Sequence, residues 1–320
     1  MCESHHRPEG SEKEMVKVYV RLPLNDEQKK RLEAISPEYE FVYKEDYDAQ
    51  IIIGSPRTDT LQNYKDLKLI QTSSVGVEGY IKKGVLKDGT VLCNAVDVHT
   101  VEVAEHCLAM LLLMMRKFYL YRDDQTEHKW KDEGKVKELK DLKVTILGLG
   151  NIGKHLAKQL KALGVYVIGV KRTAIEKPDY IDELYTNKDL EKAIGDVDAV
   201  ISILPGNKEN AYLFDVDTFR KMRPDTIFIN VGRGNLYTEE TLRQVLDEKI
   251  VAAVAADVYL EEPLPKDSPL WDYKNLIITP HVAGNYRLDS AKEAFVDLAE
   301  ENLRRYINRE ELKYVVSERD

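Results

Sequence analysis

The sequence has few cysteines, no long apolar run and no excess of positive charge. Its cysteines, Cys2, Cys93 and Cys107, have no metal-ligand spacing, and three are too few for a disulfide framework. The longest apolar run, CLAMLLLMM, has nine residues, whereas a membrane-spanning helix needs about 20. A net charge of −9 provides no basic field for nucleic acid or an anionic membrane. We therefore expect a cytoplasmic protein without a metal site, a membrane segment or a nucleic-acid partner.

The amino-terminal stretch, MCESHHRPEGSEKE, is polar. It lacks the apolar core of a signal peptide, so residues 1–14 are expected to form a disordered tail. The whole chain has 320 residues, 43% of them hydrophobic, which is enough for about two domains with buried cores.

Two series of strand patterns follow the tail. The first comprises VKVYVRL, YEFVY, QIIIG, LKLIQTSS and TVLCN and predicts one α/β unit over about residues 15–97. A long helical pattern over about residues 101–122 leads to the second series, KVTILGLG, VYVIGV, DAVISIL, TIFINVG, VAAVAADV and NLIITPH. Near-continuous apolar strands that alternate with helices predict a parallel sheet covered on both faces.

The last part of the chain determines the predicted domain boundaries. Residues 290–308 are amphipathic, and we expect this helix to return to the first unit because little chain remains after the second sheet. The predicted fold class is therefore α/β, with two Rossmann-like, doubly wound parallel-sheet domains and a cleft between them. The discontinuous substrate domain is predicted to take residues 15–98 and 286–320, and the dinucleotide-binding domain residues 99–285.

A glycine-rich turn begins the second series. In KVTILGLGNIGKHLAKQLKALG a strand is followed by Gly148, Gly150 and Gly153, with Asn151 and Ile152 between the last two, and then by a helix. The first glycine permits a tight turn, the second lets a pyrophosphate approach, and the third lets the helix pack on the strand. Because a second strand follows, we predict a dinucleotide site rather than a purely structural turn. Domains that bind S-adenosylmethionine use similar turns, but they usually have an acidic residue after the second strand.

Basic residues stand where that acidic residue would be. In GVKRT the second strand ends with Lys171, Arg172 and Thr173. An acid there would bind the ribose 2′-hydroxyl of NAD and repel a 2′-phosphate, whereas two cations and a hydroxyl favour the phosphate. A solvated basic loop is the alternative interpretation. We expect NADP (NADPH) as the cofactor, with NAD as a weaker alternative.

Three further stretches follow predicted strands of the same sheet, where open α/β sheets bind ligands. They are INVGRGNL with Arg233, AADVYLEEPLP with Glu262 and TPHVAG with His281. Each one alone is compatible with an ordinary surface loop. In this order, and together with SSVGVEGY and NAVDVHTVEVAEHCLAMLL, they closely resemble the D-isomer-specific 2-hydroxyacid dehydrogenase family, which includes glyoxylate/hydroxypyruvate reductases and phosphoglycerate dehydrogenases.

The resemblance implies a role for each matching residue. Arg233 would bind the carboxylate and carbonyl of a 2-oxo acid, His281 would be the acid/base, and Glu262 would bond the imidazole and keep it protonated for reduction. Val75 and Gly76 would offer backbone N–H groups to the substrate carboxylate. The other matches would contact the cofactor: Leu204 and Pro205 on the adenosine side, Val231 and Gly232 beside it, and Asp257 at the nicotinamide. The family also implies a homodimer that uses the helix over about residues 101–122 together with the segment that follows it.

The chemistry requires the same residue types. A 2-oxo acid is an anion whose carbonyl oxygen gains negative charge during reduction, so a cation and a proton donor beside that oxygen stabilise the charge where it develops. A histidine paired with a carboxylate can donate and accept the proton near neutral pH. Glutamate in place of the glutamine typical of formate dehydrogenases argues against formate as the substrate.

Three positions depart from the family pattern. Lys171 replaces the ribose acid, LPGNKEN at residues 204–210 replaces a threonine-bearing loop, and Tyr286 stands where a small polar residue is common. Two interpretations of Tyr286 remain open, because its ring can pack on the closing helix or line the substrate pocket.

We therefore expect an NADPH-dependent reductase of small 2-oxo acids that acts reversibly as a D-2-hydroxyacid dehydrogenase. The substrate would be glyoxylate, hydroxypyruvate or a related acid. The alternative is a non-enzymatic protein of the same fold that senses NAD(P), as the C-terminal-binding-protein corepressors do, and those proteins keep the same triad. No interaction segment or basic patch is visible in the sequence, which makes this the weaker interpretation.

Overall fold

The computed structural model describes residues 15–286 and 288–317. The predicted polar tail, residues 1–14, lies outside the described residues. The chain divides into two compact units: unit 1 takes Met1–Val98 and Leu288–Asp320, and unit 2 takes His99–Arg287. Unit 1 is thus discontinuous in sequence. In the described ranges, no helix is both long and apolar enough to cross a membrane.

The described residues form twelve strands and eight α-helices. The strands are β1 (Val16–Val20), β2 (Tyr39–Val42), β3 (Ile51–Ile53), β4 (Leu69–Gln71), β5 (Val91–Cys93), β6 (Lys143–Leu147), β7 (Tyr166–Lys171), β8 (Glu183–Thr186), β9 (Ala199–Ser202), β10 (Ile227–Asn230), β11 (Ala253–Ala256) and β12 (Leu276–Ile278). The helices are α1 (Asp26–Glu33), α2 (Thr100–Met115), α3 (Phe118–Thr126), α4 (Asn151–Ala162), α5 (Leu190–Gly195), α6 (Val216–Phe219), α7 (Glu239–Asp247) and α8 (Asp289–Asn308).

The sheet of unit 1 is parallel throughout, in the order β2-β1-β3-β4-β5. The returning helix α8 is fixed to this unit by polar contacts. The Arg31 guanidinium of α1 makes ion pairs of 3.0, 2.5 and 2.9 Å with residues of α8, namely Glu293, Asp297 and Glu300. The buried Asn302 of α8 donates to Gln71 Oε1 in β4 at 2.6 Å. The last helix therefore belongs to unit 1.

The sheet of unit 2 is also parallel, in the order β12-β11-β10-β9-β6-β7-β8. Alternate strand residues enter two apolar clusters, because successive side chains of a strand point to opposite faces. Ile227 and Ile229 pack in the cluster that contains residues of α2 and α4, whereas Phe228 packs in the cluster that contains residues of α7. Both faces of the sheet are therefore covered, which explains the near-continuous apolar strands.

The two parallel sheets confirm the predicted fold class of two Rossmann-like α/β domains, and every predicted strand is present. The prediction missed β8, which is the outermost strand of this sheet and is half-buried. Its residues, ELYT, contain no apolar run. The continuous helix expected over residues 101–122 is wrong. Helix α2 ends at Met115, and Lys117 adopts the left-handed region with a φ of 57° before α3 begins.

Candidate active site

The glycine-rich turn of unit 2 has the backbone geometry of a dinucleotide site. Gly148 follows β6 with a φ of 102°, a region that favours glycine. A Cβ on Gly153 would lie 2.1 Å from the Gly148 carbonyl oxygen, so only glycine lets α4 approach β6 this closely. A Cβ on Gly150 would meet no atom within 4 Å. Gly150 is the residue before α4, whose first two residues are Asn151 and Ile152. No side chain caps this helix N-terminus, so its N–H groups are suited to a phosphate.

The strand order of unit 2 brings the predicted site loops to one edge. Because the strands are parallel, their carboxyl ends lie along the same edge of the sheet. Read from β12 to β7, the residues that follow the strands are His281, Glu262, Arg233, Leu204 with Pro205, Gly148, and Lys171 at the end of β7 itself. The predicted acid/base therefore lies toward one end of the row and the predicted phosphate-binding cations toward the other.

Glycines on both sides of Arg233 hold its turn against the neighbouring loops. A Cβ on Gly232 would lie 2.4 Å from the carbonyl oxygen of Leu204, in the loop after β9. A Cβ on Gly234 would lie 1.9 Å from the carbonyl carbon of Tyr259, in the loop after β11. A larger residue at either position would force the loops apart. The glycines of the GRG motif therefore serve close packing between three loops.

The predicted acid/base pair is formed. His281 Nδ1 lies 2.6 Å from Glu262 Oε2, which is hydrogen-bond distance. The other carboxylate oxygen of Glu262 accepts from the Tyr259 N–H at 2.8 Å, which fixes the carboxylate. The His281 side chain is 49% exposed, so a small molecule can reach the ring. The backbone of His281 has a φ of 51°, in the left-handed region that residues other than glycine seldom adopt.

The buried carboxylate of Asp257 holds the loop that carries His281. Its Oδ1 accepts from the Thr279 hydroxyl at 2.5 Å and from the Val282 N–H at 2.9 Å. Its Oδ2 accepts from the Ala283 N–H at 3.0 Å. The backbone carbonyl of Asp257 accepts from the His281 N–H at 2.8 Å. Both side-chain oxygens are thus engaged within unit 2, and the contact with nicotinamide that the family resemblance implies stays a prediction.

Asn230, the last residue of β10, shapes the turn that carries Arg233. Its buried side chain accepts from the Gly232 N–H at 3.1 Å and donates to the Arg233 carbonyl at 3.1 Å. Its amide also lies 3.3 Å from the hydroxyl of Tyr237, and burial raises the pKa of Tyr237 to about 12, which keeps it neutral. Val231 and Gly232 are buried, whereas Arg233 is half-buried and its guanidinium donates to the Gly232 carbonyl at 2.8 Å.

The basic residues of GVKRT lie where β7 ends. Lys171 is half-buried, and Arg172 and Thr173 are exposed, so a phosphate can reach them. The Arg172 guanidinium faces Glu209, with 3.8 Å between the nearest nitrogen and oxygen. Glu209 belongs to the loop after β9, residues 204–210, which starts with the predicted adenosine-side residues: the half-buried Leu204 and the exposed Pro205.

In unit 1 the predicted carboxylate loop follows β4. Ser74 Oγ donates to the Gly76 carbonyl at 2.9 Å, and Asn94 Nδ2 donates to the Val75 carbonyl at 3.1 Å. These bonds hold the carbonyls of the loop. Within the described residues, the N–H groups of Val75 and Gly76 donate to no protein acceptor. Adjacent N–H groups of this kind suit an anion.

The ring of Tyr286 packs within unit 2. It meets the ring of His99 edge-on, with 4.5 Å between the centroids and an interplanar angle of 73°. His99 is buried and its Nδ1 lies 2.8 Å from Oε2 of the buried Glu102. The contact shows Tyr286 in a packing role beside the start of α2.

Sequence reasoning missed Asn230, Thr279 and His106. Asn230 and Thr279 lie inside the motifs INVGRGNL and TPHVAG. Each is a polar residue at the end of an apolar strand, and this pattern could have indicated a role in the site. His106 Nε2 lies 3.4 Å from Thr279 Oγ1 and 3.8 Å from Asp257 Oδ1. Its sequence context, an apolar helix, gave no signal, because the contact depends on how α2 packs against the sheet.

Comparisons with known proteins identify the family of the chain. The family described as "D-isomer specific 2-hydroxyacid dehydrogenase, NAD binding domain" matches residues 108–283. The glyoxylate/hydroxypyruvate reductase A of Photorhabdus laumondii is 28% identical over 260 residues, which are 79% of this chain and 81% of that relative. The D-3-phosphoglycerate dehydrogenase of Archaeoglobus fulgidus is 30% identical over 245 residues, 75% of this chain. This match covers 46% of that relative, so the chain spans less than half of its length.

A solved structure extends the likeness to nearly the whole chain. It is a crystal structure of the NADPH-dependent glyoxylate/hydroxypyruvate reductase from Sinorhizobium meliloti in complex with NADP and sulfate. The two chains are 26% identical, with a TM-score of 0.80 over 94% of this chain and 98% of that chain. The resemblance drawn from the sequence motifs is thereby confirmed. The chain belongs to the D-isomer specific 2-hydroxyacid dehydrogenase family of oxidoreductases.

Proposed function

We propose that the protein is an NADPH-dependent reductase that converts small 2-oxo acids into D-2-hydroxy acids. The observation that carries this proposal is the row of loops at the carboxyl edge of unit 2. It combines a histidine–carboxylate pair, an arginine, a glycine-rich turn and, at its far end, a basic strand terminus. A 2-oxo acid needs the histidine–carboxylate pair and the arginine. A phosphorylated dinucleotide needs the glycine-rich turn and the basic strand terminus.

Each side chain has one part in the proposed reaction. A bound nicotinamide dinucleotide supplies the hydride that the carbonyl carbon receives. Arg233 binds the substrate carboxylate and the carbonyl oxygen, and its charge stabilises that oxygen as it becomes negative. His281 donates its proton to the same oxygen, while Glu262, 2.6 Å away, orients the ring. For unit 1, the proposal is that the N–H groups of Val75 and Gly76 bind a carboxylate.

The identity of the 2-oxo acid can be tested directly. The relatives from P. laumondii and S. meliloti are named for glyoxylate and hydroxypyruvate, and we propose the same substrates for this chain. Initial rates should be measured with glyoxylate, hydroxypyruvate, pyruvate and branched 2-oxo acids, each with NADPH and with NADH. Oxidation of D-glycerate but not L-glycerate would support the stereochemistry. Absence of turnover with every acid, in a folded protein, would contradict the proposal.

The preference for NADPH is proposed to come from Lys171 and Arg172. A charge-assisted bond to the 2′-phosphate contributes about 1.5–3 kcal/mol, and 1.4 kcal/mol is a factor of ten, so one contact gives about tenfold or more at low ionic strength. The double change Lys171→Asp and Arg172→Gln should swing the preference toward NADH. A matched control is the double change Arg220→Gln and Lys221→Asp. These residues form an exposed basic pair just before β10, at the amino ends of the strands, whereas the site lies at the carboxyl ends. Equal kcat/KM values for both cofactors in the unaltered protein would refute this assignment.

We also propose a homodimer formed through α3 and the segment after it. This region exposes large apolar side chains: Phe118, Tyr121, Trp130 and Val136. Apolar side chains exposed in one region of a soluble protein indicate an interaction surface. Light scattering after size exclusion should give a dimer, and Phe118→Glu should give a monomer. Leu163→Glu, an exposed apolar residue outside the region, is the control. A monomeric unaltered protein would contradict the proposal.

A further inference from the structure

An ion pair lies at the adenosine end of the proposed cofactor site. Arg172 follows β7, and Glu209 lies in the loop after β9. In the sheet, β7 and β9 are the two neighbours of β6, and the glycine-rich turn follows β6. The nearest nitrogen and oxygen of Arg172 and Glu209 are nevertheless only 3.8 Å apart. The pair therefore joins the two loops that flank the glycine-rich turn.

The loop that carries Glu209 is held in place by its own hydrogen bonds. The buried Asn210 donates from Nδ2 to the Pro205 carbonyl at 2.9 Å and from its backbone N–H to Asn207 Oδ1 at 3.0 Å. Asn235 Nδ2 donates to the Gly206 carbonyl at 3.3 Å. These bonds fix the backbone on both sides of Glu209. The loop backbone therefore holds Glu209 beside Arg172, while the Glu209 side chain itself is 64% exposed.

We propose that Glu209 is a specificity-determining residue that limits the preference of this site for a 2′-phosphate. The inference rests on the proposed function, because it takes Arg172 as a phosphate ligand. A 2′-phosphate carries close to two negative charges, and it competes with Glu209 for the Arg172 guanidinium. Its charge is also repelled by the carboxylate. A 2′-hydroxyl carries no charge and meets neither penalty. Glu209 therefore lowers the affinity for NADPH more than the affinity for NADH.

The test uses two adenosine fragments that differ only in the phosphate: adenosine 2′,5′-bisphosphate and AMP. Calorimetry at low salt gives the affinity of each fragment for the unaltered protein and for Glu209→Gln. The ratio compared is the affinity for the bisphosphate divided by the affinity for AMP. We expect Glu209→Gln to raise the ratio by about three- to tenfold, and the rise to shrink as salt increases. Glu248→Gln is the matched control, because Glu248 forms a similar exposed ion pair with Arg220, at 3.0 Å. Glu248 follows α7 and lies at the amino ends of the strands, away from the proposed cofactor site. Glu248→Gln should change the ratio by less than about twofold.

A double-mutant cycle shows whether Glu209 acts through Arg172. In the Arg172→Gln background, the same Glu209→Gln change should raise the ratio by less, because the competition for the guanidinium is gone. An unchanged ratio in Glu209→Gln, an equal effect in Glu248→Gln, or an equal rise in both backgrounds would overturn the proposal. Fragment binding needs no turnover, so a failure of the reductase assay and a failure of this inference are distinguishable. If neither fragment binds the unaltered protein, both proposals fail.

Discussion

The change Asp257→Asn should impair catalysis through the loop of His281. In the structure, three donors point at the carboxylate: the Thr279 hydroxyl at 2.5 Å, the Val282 N–H at 2.9 Å and the Ala283 N–H at 3.0 Å. An asparagine offers one oxygen and one amide group. At least one donor would therefore face another donor in a site that is 1% exposed.

The magnitude follows from those contacts. Hydrogen bonds to a charged group contribute about 1.5–3 kcal/mol each, and an unsatisfied buried donor costs about 1–3 kcal/mol. The loss of one such bond and the unsatisfied donor together come to about 2.5–6 kcal/mol. If that penalty acts on the ordered conformation of residues 279–283, the equilibrium constant for ordering this loop falls about a hundredfold for every 2.8 kcal/mol, since 1.4 kcal/mol is a factor of ten. We therefore expect kcat to fall about 100-fold or more.

The assay is steady-state kinetics with NADPH and the best 2-oxo acid. A positioning role predicts a loss in kcat with little change in the affinity for adenosine 2′,5′-bisphosphate, because the adenosine end lies at the other side of the row. A direct contact with nicotinamide predicts a raised KM for NADPH instead. Thr279→Val removes one donor only and should cause a smaller loss in kcat. The control is Asp198→Asn, another buried carboxylate of unit 2, which should leave kcat unchanged. A kcat within threefold of the unaltered enzyme in Asp257→Asn would refute the reasoning.

Three further predictions concern named groups. His281→Gln should lower kcat by about 10²–10⁴-fold with fragment binding intact, and retention of most of the turnover would contradict the assignment. Arg233→Lys keeps the charge but loses the planar fork, so kcat/KM should fall while NADPH affinity stays the same, and unchanged kinetics would exclude this role. Burial acts to raise the pKa of Asp198, but hydrogen bonds from Lys137, the Lys143 N–H and Arg223 lower it overall. Its stabilisation is therefore present above about pH 4 and is lost as the pH falls through the lowered pKa. Asp198→Asn should cost about 1–3 kcal/mol at neutral pH and little in acid, as measured by chemical unfolding.

The strands could be predicted from sequence because burial on both faces leaves an apolar run. Ile51–Ile53 and Ile227–Asn230 show that signal, whereas the edge strand Glu183–Thr186 does not. The break between α2 and α3 was not predictable from the apolar pattern. It depends on the left-handed φ of Lys117, a residue that the side-chain periodicity does not distinguish from a helical one.

The site was predictable where the chemistry is local to a motif. Arg233, Glu262 and His281 each follow a strand, and the parallel order of β10, β11 and β12 brings those ends to one edge. The contacts between motifs were not predictable in the same way. The pairing of Arg172 with Glu209 requires knowing that β7 and β9 both neighbour β6, and the position of His106 requires the packing of α2.

The backbone of His281 and the bonds around it fit the proposed role of a proton donor. A φ of 51° at a residue other than glycine costs on the order of 1–3 kcal/mol, and such strain persists only where the surrounding structure over-determines it. The bonds that hold it here run from Asp257 to the loop backbone and from Glu262 to the imidazole. Together they hold the imidazole in one orientation beside the carboxylate, 2.6 Å away. Such an arrangement suits an enzyme that delivers a proton to a defined oxygen, because the proton donor must lie within hydrogen-bond reach of its acceptor.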